Sequence, residues 1–176
     1  MAVLVEGISV IVRRDSVMAC YSGGWDQFVA DAPSRTFCAD SDLARIGFMA
    51  PDDVAAFIDF LQKRGLVFLE DGRAVDFCVC DQQSGPTFGC SWVDFGQIEF
   101  DNYRVAAARL AGSTSLDLHT PDSWSYENSL SRQFSFVPTG EESKSLRYLR
   151  HENGTDVYLN LLTGKEVYIG RWGVRQ

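Results

Sequence analysis

The stretch Gly47–Asp81, GFMAPDDVAAFIDFLQKRGLVFLEDGRAVDFCVCD, decides the fold. Pro51 suits a first helical position, where its missing N–H is not needed. Asp52 and Asp53 follow in the first turn, and Lys63 and Arg64 lie in the last, the charge order a helix dipole favours. Val54, Phe57, Ile58 and Leu61 recur at i, i+3, i+4 and i+7, so one face is apolar, and Ala56 and Phe60 widen it. Gly65 stands where a left-handed C-cap would end the helix. Ala50 offers no capping side chain, the weak point of the pattern. Leu66–Glu70 and Arg73–Cys80 then flank Asp71-Gly72. Such a pair between β-rich runs predicts a hairpin, because both turn residues need φ > 0.

Working outward, Val3–Val12 is expected as the first strand, almost continuously apolar from Ile8 and suited to a central position. Asp15 can cap a short helix to about Tyr21. Gly23-Gly24 breaks the chain before a second short helix bearing Trp25, Phe28 and Val29, which stops ahead of Pro33. Thr36–Ala39 reads as a brief strand, and Asp42–Phe48 as either a helical turn or an edge strand. Gln82–Gly89 is a loop. Ser91–Phe100 and Tyr103–Leu110 form a second hairpin about Asp101-Asn102, although the alanines at Ala106–Ala108 leave a helix open there.

Gly112–Gln133 is rich in Ser and Thr and poor in aliphatic residues, the pattern of a linker or mobile loop. Thr120-Pro121-Asp122 could start a short helix within it. Beyond it, Phe134–Val137 suggests a strand, and Glu141–Arg150 a helix with acids leading and Arg147, Arg150 and His151 trailing. Asp156–Leu162 and Glu166–Arg171 suggest a last hairpin about Thr163-Gly164. The expected organisation is therefore a main unit over 1–112, a linker over 113–133 and a small C-terminal unit over 134–176. The fold class is α+β, an antiparallel or mixed sheet with helices mainly on one face.

The 176 residues are 45% hydrophobic and 12% aromatic, which argues for a packed core and against disorder. A net charge of −8 disfavours nucleic acids and anionic membranes as partners, since both call for clustered Lys and Arg. It suits a basic protein partner, or simple solubility. The N-terminus lacks the charge order of a secretory signal, and no run reaches the ~20 apolar residues of a membrane span. Cys20, Cys38, Cys78, Cys80 and Cys90 are an odd, scattered set that reads as reduced thiols in a cytosolic protein.

Candidate chemistry is sparse. Cys78 and Cys80 would face one way on a strand, and Cys90 and His119 could join them in a zinc site, but the spacing lacks two ligand pairs. Core packing is the better account, and no metal or cofactor is expected. His119 and His151 are the only histidines, His119 among serines and aspartates and His151 at a helix end. Glu6 and Asp76 interrupt strands and could face each other as an acid–base pair, although a solvated face or an Arg partner is the commoner fate. The best binding candidates are Asp81, Gln82, Gln83, Pro86 and Trp92, because polar groups and a rigid turn leave a strand end there.

The anchor stretch has a structural rival. A short helix near Asp42-Leu43-Ala44, a second over Pro51–Arg64 and the Asp-Gly hairpin resemble a winged helix-turn-helix of bacterial regulators, which would make the N-terminal half of the chain winged-helix-like. Asp52 and Asp53 would then meet phosphate, which their charge opposes. VLVEGISVIVRRD (Val3–Asp15), GFMAPDDV (Gly47–Val54) and VDFCVCDQQSGPT (Val75–Thr87) resemble a family of small uncharacterised bacterial proteins of unknown function. The resemblance covers the N-terminal two-thirds and implies a bacterial cytosolic protein with no catalytic residues. The function expected is non-enzymatic binding of another protein, for example an immunity-like role. The enzyme alternative is a small hydrolase using His119 or the Asp81 loop.

Overall fold

The computed structural model describes residues 1–33, 35–114, 117–134, 146–152, 155–160 and 166–170. In chain order the strands are β1 Ala2–Val5, β2 Ile8–Arg13, β3 Cys38–Ala39, β4 Leu43–Phe48, β5 Leu69–Glu70, β6 Arg73–Ala74, β7 Phe77–Asp81, β8 Gly85–Pro86, β9 Val93–Phe100, β10 Tyr103–Leu110, β11 Leu118–His119, β12 Leu146–Glu152, β13 Thr155–Asn160 and β14 Glu166–Gly170. The helices are α1 Arg14–Cys20, α2 Gly24–Asp31, α3 Pro51–Lys63 and α4 Leu130–Phe134, with a 3₁₀ turn at Tyr126–Asn128. This is an α+β fold.

Two sheets carry it. One has the order β3-β4-β2-β7-β8 with antiparallel pairing throughout. The other has the order β11-β1-β10-β9 and is mixed, because β11 runs parallel to β1. The core divides along the strand pleat, which sends alternate side chains to opposite faces. Val10, Val12, Ala44, Ile46, Phe77 and Val79 point to the helices, where they meet Val17, Phe28, Phe57 and Leu61. Ile11, Leu43, Cys78 and Cys80 point the other way, onto Val3, Val5, Ala106 and Ala108 of the second sheet. The helices therefore cover one face of the first sheet, and the second sheet covers the other.

Helix α3 follows its sequence pattern. Val54, Phe57, Ile58 and Leu61 are buried, and Asp52 and Asp53 occupy the first turn. Asp59 and Lys63 lie outside, paired at 2.8 Å across one helical turn. No side chain caps Ala50. Asp71 and Gly72 both have positive φ, as the hairpin turn requires, but the ladder beyond them is only two residues long on each side. The chain then leaves for the first sheet, where β7 pairs with β2.

Several expectations are corrected. The single strand over Val3–Val12 is two strands in two sheets, divided at Glu6-Gly7. Residues 43–48 form an interior strand rather than an edge or a helical turn, so the first helix of a winged helix is absent. Ala106–Ala108 lie in a strand. Thr120-Pro121-Asp122 opens a turn closed by a Trp124 N–H to Pro121 carbonyl bond of 3.1 Å, and helical structure begins only at Tyr126. The helix over Glu141–Arg150 is contradicted at its end, where Leu146 begins β12; residues 141–145 lie outside the described set. Phe134 closes α4, and the rest of the strand expected there is also outside it. β13 and β14 pair antiparallel as the last hairpin requires; residues 161–165 between them lie outside the described set.

Candidate functional site

The break between β1 and β2 is where the chain concentrates its buried polar chemistry. Gly7 has φ of +55°, and a Cβ there would sit 2.5 Å from the Phe48 carbonyl oxygen, so only glycine makes this corner. The Ser9 hydroxyl donates to the Glu6 carbonyl at 2.7 Å and accepts the Glu6 N–H at 3.0 Å, which closes the bend. The Glu6 side chain is driven inward. Its Oε1 meets Arg45 Nη2 at 3.3 Å, and its Oε2 accepts from Trp124 Nε1 (3.0 Å), Ser131 N (3.0 Å) and Ser131 Oγ (2.9 Å).

Arg45 is completely buried, opposite Cys38 in the β3–β4 register. Its Nε and Nη1 find no hydrogen-bond partner among the described residues. A Cβ on Gly47 would lie 2.4 Å from Nη1, so this glycine gives the guanidinium its room. Burial pushes the Cys38 thiol up, against the pull of Arg45 beside it. The stretch expected as a linker supplies Trp124 and Ser131 to this corner and β11 to the second sheet.

The residues singled out as a binding loop are built into the same framework. Gln82 is buried; its Oε1 accepts the Gly7 N–H at 2.8 Å, and its Nε2 donates to the Ser131 carbonyl at 2.9 Å. Its backbone N–H bonds the Gly7 carbonyl at 2.9 Å. The Asp81 carboxylate accepts from Gln83 N (2.7 Å) and Ser84 N (3.2 Å), which sets the β7–β8 turn. Pro86 pairs with Cys80 in the ladder. Trp92 is buried and donates Nε1–H to the Ala74 carbonyl at 3.2 Å. Of the five, Gln83 alone is exposed.

The other candidates are dispersed. Glu6 and Asp76 lie at opposite ends of β2, since Ile8 pairs with Asp81 and the Arg13 N–H bonds the Asp76 carbonyl. The Asp76 carboxylate accepts the Val67 N–H at 2.7 Å. His119 sits on β11 beside Val3, and His151 lies on a strand rather than at a helix end. Cys78 and Cys80 do face one way, into the core between the sheets. No group of three potential ligands is placed to hold a metal ion among the described residues.

The open chemistry is on the backbone of β9. Each main sheet has two edges. Three of these four edge strands, β3, β8 and β11, are two residues long; β9 has eight. Asp101 and Asn102 both have positive φ and close a tight turn between Phe100 and Tyr103, with an unbroken ladder behind it. Antiparallel ladders alternate, so Asp94, Gly96, Ile98 and Phe100 direct their N–H and C=O groups to β10. Val93, Phe95, Gln97 and Glu99 direct theirs to the edge.

The outer face beside that edge carries a groove of about 150 Å³ with Gly96 and Ala107 in its lining, flanked by Ala2, Ile98 and the Asp94–Arg109 pair at 3.8 Å. Trp124 and Tyr126 cover the face near the turn, on Phe100 and Tyr103 at ring distances of 5.8 and 4.1 Å. Neither His119 nor Asp81 lines the groove. Sequence reasoning found the β9–β10 hairpin but not its openness, although the Asp101-Asn102 turn already fixes which amides point outward.

No family model, curated protein or solved structure matches this chain. No helix among the described residues is long and apolar enough to cross a membrane.

Proposed function

We propose that this chain is a protein-binding module that accepts an extended segment of a basic partner protein alongside β9. The observation that carries it is the eight-residue edge, set against edges of two residues elsewhere in the two main sheets. An edge of this length is a template for a further strand, with backbone hydrogen bonds giving affinity and neighbouring side chains giving selectivity. Asp94 and Glu99 are exposed on β9 itself, while Arg104 and Arg109 lie on β10, one strand further from any newcomer. An incoming strand therefore meets acids first. The net charge of −8 draws the same class of partner from a distance. A second copy of the chain would bring another Asp94 and Glu99 to the seam, and like charges across strands are unfavourable. Neutralising a basic toxin, as immunity proteins do, is the concrete version that fits this chemistry.

Hydrogen exchange tests it, with a nine-residue peptide of alternating Lys and Val as the probe. The outward amides of Val93, Phe95, Gln97 and Glu99 should exchange quickly in the free protein and slow at least roughly tenfold at saturation. Glu99→Pro removes an outward N–H that the β10 ladder does not use, so it should abolish that protection and leave the fold intact. Unchanged exchange with peptide, or protection that depends on protein concentration alone, would overturn the proposal.

A further inference from the structure

Gly96 stands inside β9, opposite Ala107 of β10, and nothing local requires a glycine there. Its φ is outside the left-handed region, and a Cβ built on it would find no heavy atom within 4 Å. Gly7 and Gly47 differ, because other atoms already crowd their Cβ positions. A glycine inside a strand weakens it and often marks a place where another group comes close. At Gly96 the missing side chain leaves the middle of the groove open. Ile98 and Asp94, two residues away on either side, share its face and also line the groove, as does Ala107 behind it.

Taking β9 as the docking edge proposed above, we infer that the groove receives an aromatic side chain of the partner's extended segment, and that Gly96 is the position that selects it. Gly96 directs its own N–H and C=O to β10. A residue facing it on an added antiparallel strand therefore forms a non-hydrogen-bonded pair, the closer kind, with Cα atoms about 4.5 Å apart. Ala107 lies one strand further in, about 10 Å from the newcomer's Cα. Contact with Ala107 needs a side chain that reaches past β9 to within about 4 Å of it. Val stops well short. A Phe, Tyr or Trp ring laid flat over Gly96 covers the distance and shields the glycine backbone as well.

Charge fixes the neighbouring position. Two residues further along an antiparallel segment, the next side chain on this face lies beside Asp94, whose carboxylate is exposed at the rim of the groove. A Lys or Arg there meets opposite charge, while Arg109 sits on the strand behind. On the other side of Gly96, Ile98 gives the ring an apolar wall. The preferred segment is thus an aromatic residue followed two positions later by Lys or Arg. Backbone bonds along β9 supply affinity for any extended chain, and the groove supplies the choice among them.

Two versions of the alternating Lys and Val peptide test this, one with its central Lys replaced by Phe and one with it replaced by Ala. The two carry the same charge. The Phe version should bind the parent protein roughly tenfold more tightly. Both should slow exchange at the outward amides of Val93, Phe95, Gln97 and Glu99. Gly96→Val fills the middle of the groove and favours the strand, so its urea midpoint should be no lower than the parent's. On Gly96→Val the two versions should bind within about twofold of each other, with the edge amides still protected. Equal binding of both versions by the parent, with the amides protected, overturns the inference and leaves the docking edge standing. A Phe preference that survives Gly96→Val places the ring elsewhere and overturns it too. Protection by neither version overturns the inference and the docking edge together. The parent protein separates the first and last of these outcomes without any variant.

Discussion

The Glu6 corner, where the chain passes from the four-stranded to the five-stranded sheet, and the β9 edge of the four-stranded sheet use polar groups in opposite ways. At the corner, side chains have gone inside. The carboxylate of Glu6 is shared among Arg45, Trp124 and Ser131, and Gln82 bridges Gly7 to Ser131. At the edge, the side chains are ordinary and the backbone of alternate residues has no strand beside it among the described residues. A buried polar group must be satisfied where it lies, so the corner's chemistry is consumed in holding β1, β4, β7 and the chain around Trp124–Ser131 together. Binding capacity is left to the backbone of the edge. A carboxylate, an arginine and a glutamine in one place need not mark a site, and a strand with no unusual residue can.

Mutations should separate the two regions by size of effect. Glu6→Ala leaves the Arg45 charge buried without its partner and strips the donors of Trp124 and Ser131 of their acceptor. Breaking a buried pair from one side costs about 3–5 kcal/mol, and the loss should appear as a lowered urea midpoint. If Glu6→Ala unfolds no more readily than the parent, the corner is not what ties the C-terminal segment down.

Next is the helix face. Phe57→Ala empties part of the contact with Phe48 and Phe60, whose rings lie 5.5 and 6.1 Å from its own. Phe57 keeps 8% of its surface exposed, so the loss belongs near the lower end of the usual range, about 3 kcal/mol. Asp59→Ala, on the solvent side of the same helix, should change stability by less than about 0.5 kcal/mol. A larger effect at Asp59 than at Phe57 would place the helix the other way round.

Ser131→Ala keeps the backbone N–H on Glu6 and removes only the hydroxyl at 2.9 Å. A hydrogen bond to a charged group contributes about 1.5–3 kcal/mol, and the remaining donors argue for the low end. Trp124 fluorescence reports on this variant directly, because its indole shares the same carboxylate oxygen. A shifted emission at native conditions would mean that the chain from Trp124 to Ser131 lifts as a unit; an unchanged one, that the loss is local to the hydroxyl.

How much of this was legible depends on how local the cause is. Helix α3 could be read because its period, its Pro51 and its charge order lie within thirteen residues. The Asp101-Asn102 turn is equally local. The corner is not. Leu43-Ala44-Arg45 uses good helix formers, and only pairing with β2 on one side and β3 on the other makes it an interior strand, its Arg45 held by Glu6 thirty-nine positions away. Gln82 reads as a loop residue because its donor and acceptor partners, the Gly7 N–H and the Ser131 carbonyl, lie seventy-five and forty-nine positions away. The apolar run after Ala2 hid a change of sheet, with Glu6-Gly7 as the only sign. Around Arg150 the order of charges imitated a helix dipole, yet the arginine bonds Glu166 across to the last hairpin at 3.0 Å. An edge is invisible in sequence for a related reason: openness is a property of what the rest of the chain fails to cover.

The smallest expected effect is also the one that bears most directly on the edge. Asp94 is exposed, and its contact with Arg109 is 3.8 Å long on a half-exposed surface. Exposed pairs of this kind contribute about 0–1 kcal/mol, so Asp94→Ala should leave the urea midpoint within about 0.5 kcal/mol of the parent. Binding should behave differently. An added strand would place its side chains beside Asp94, and an opposite-charge cross-strand pair contributes roughly 0.2–1 kcal/mol. The Lys–Val peptide should therefore bind Asp94→Ala up to about fivefold more weakly, and the difference should shrink as salt is raised. Glu99→Ala should act alike, and Asp59→Ala, on the far side of the molecule's helical layer, should not act at all. Equal weakening by all three would mean that the peptide responds to net charge alone. The edge would then have no privileged place, and the contrast with the Glu6 corner would reduce to one of burial.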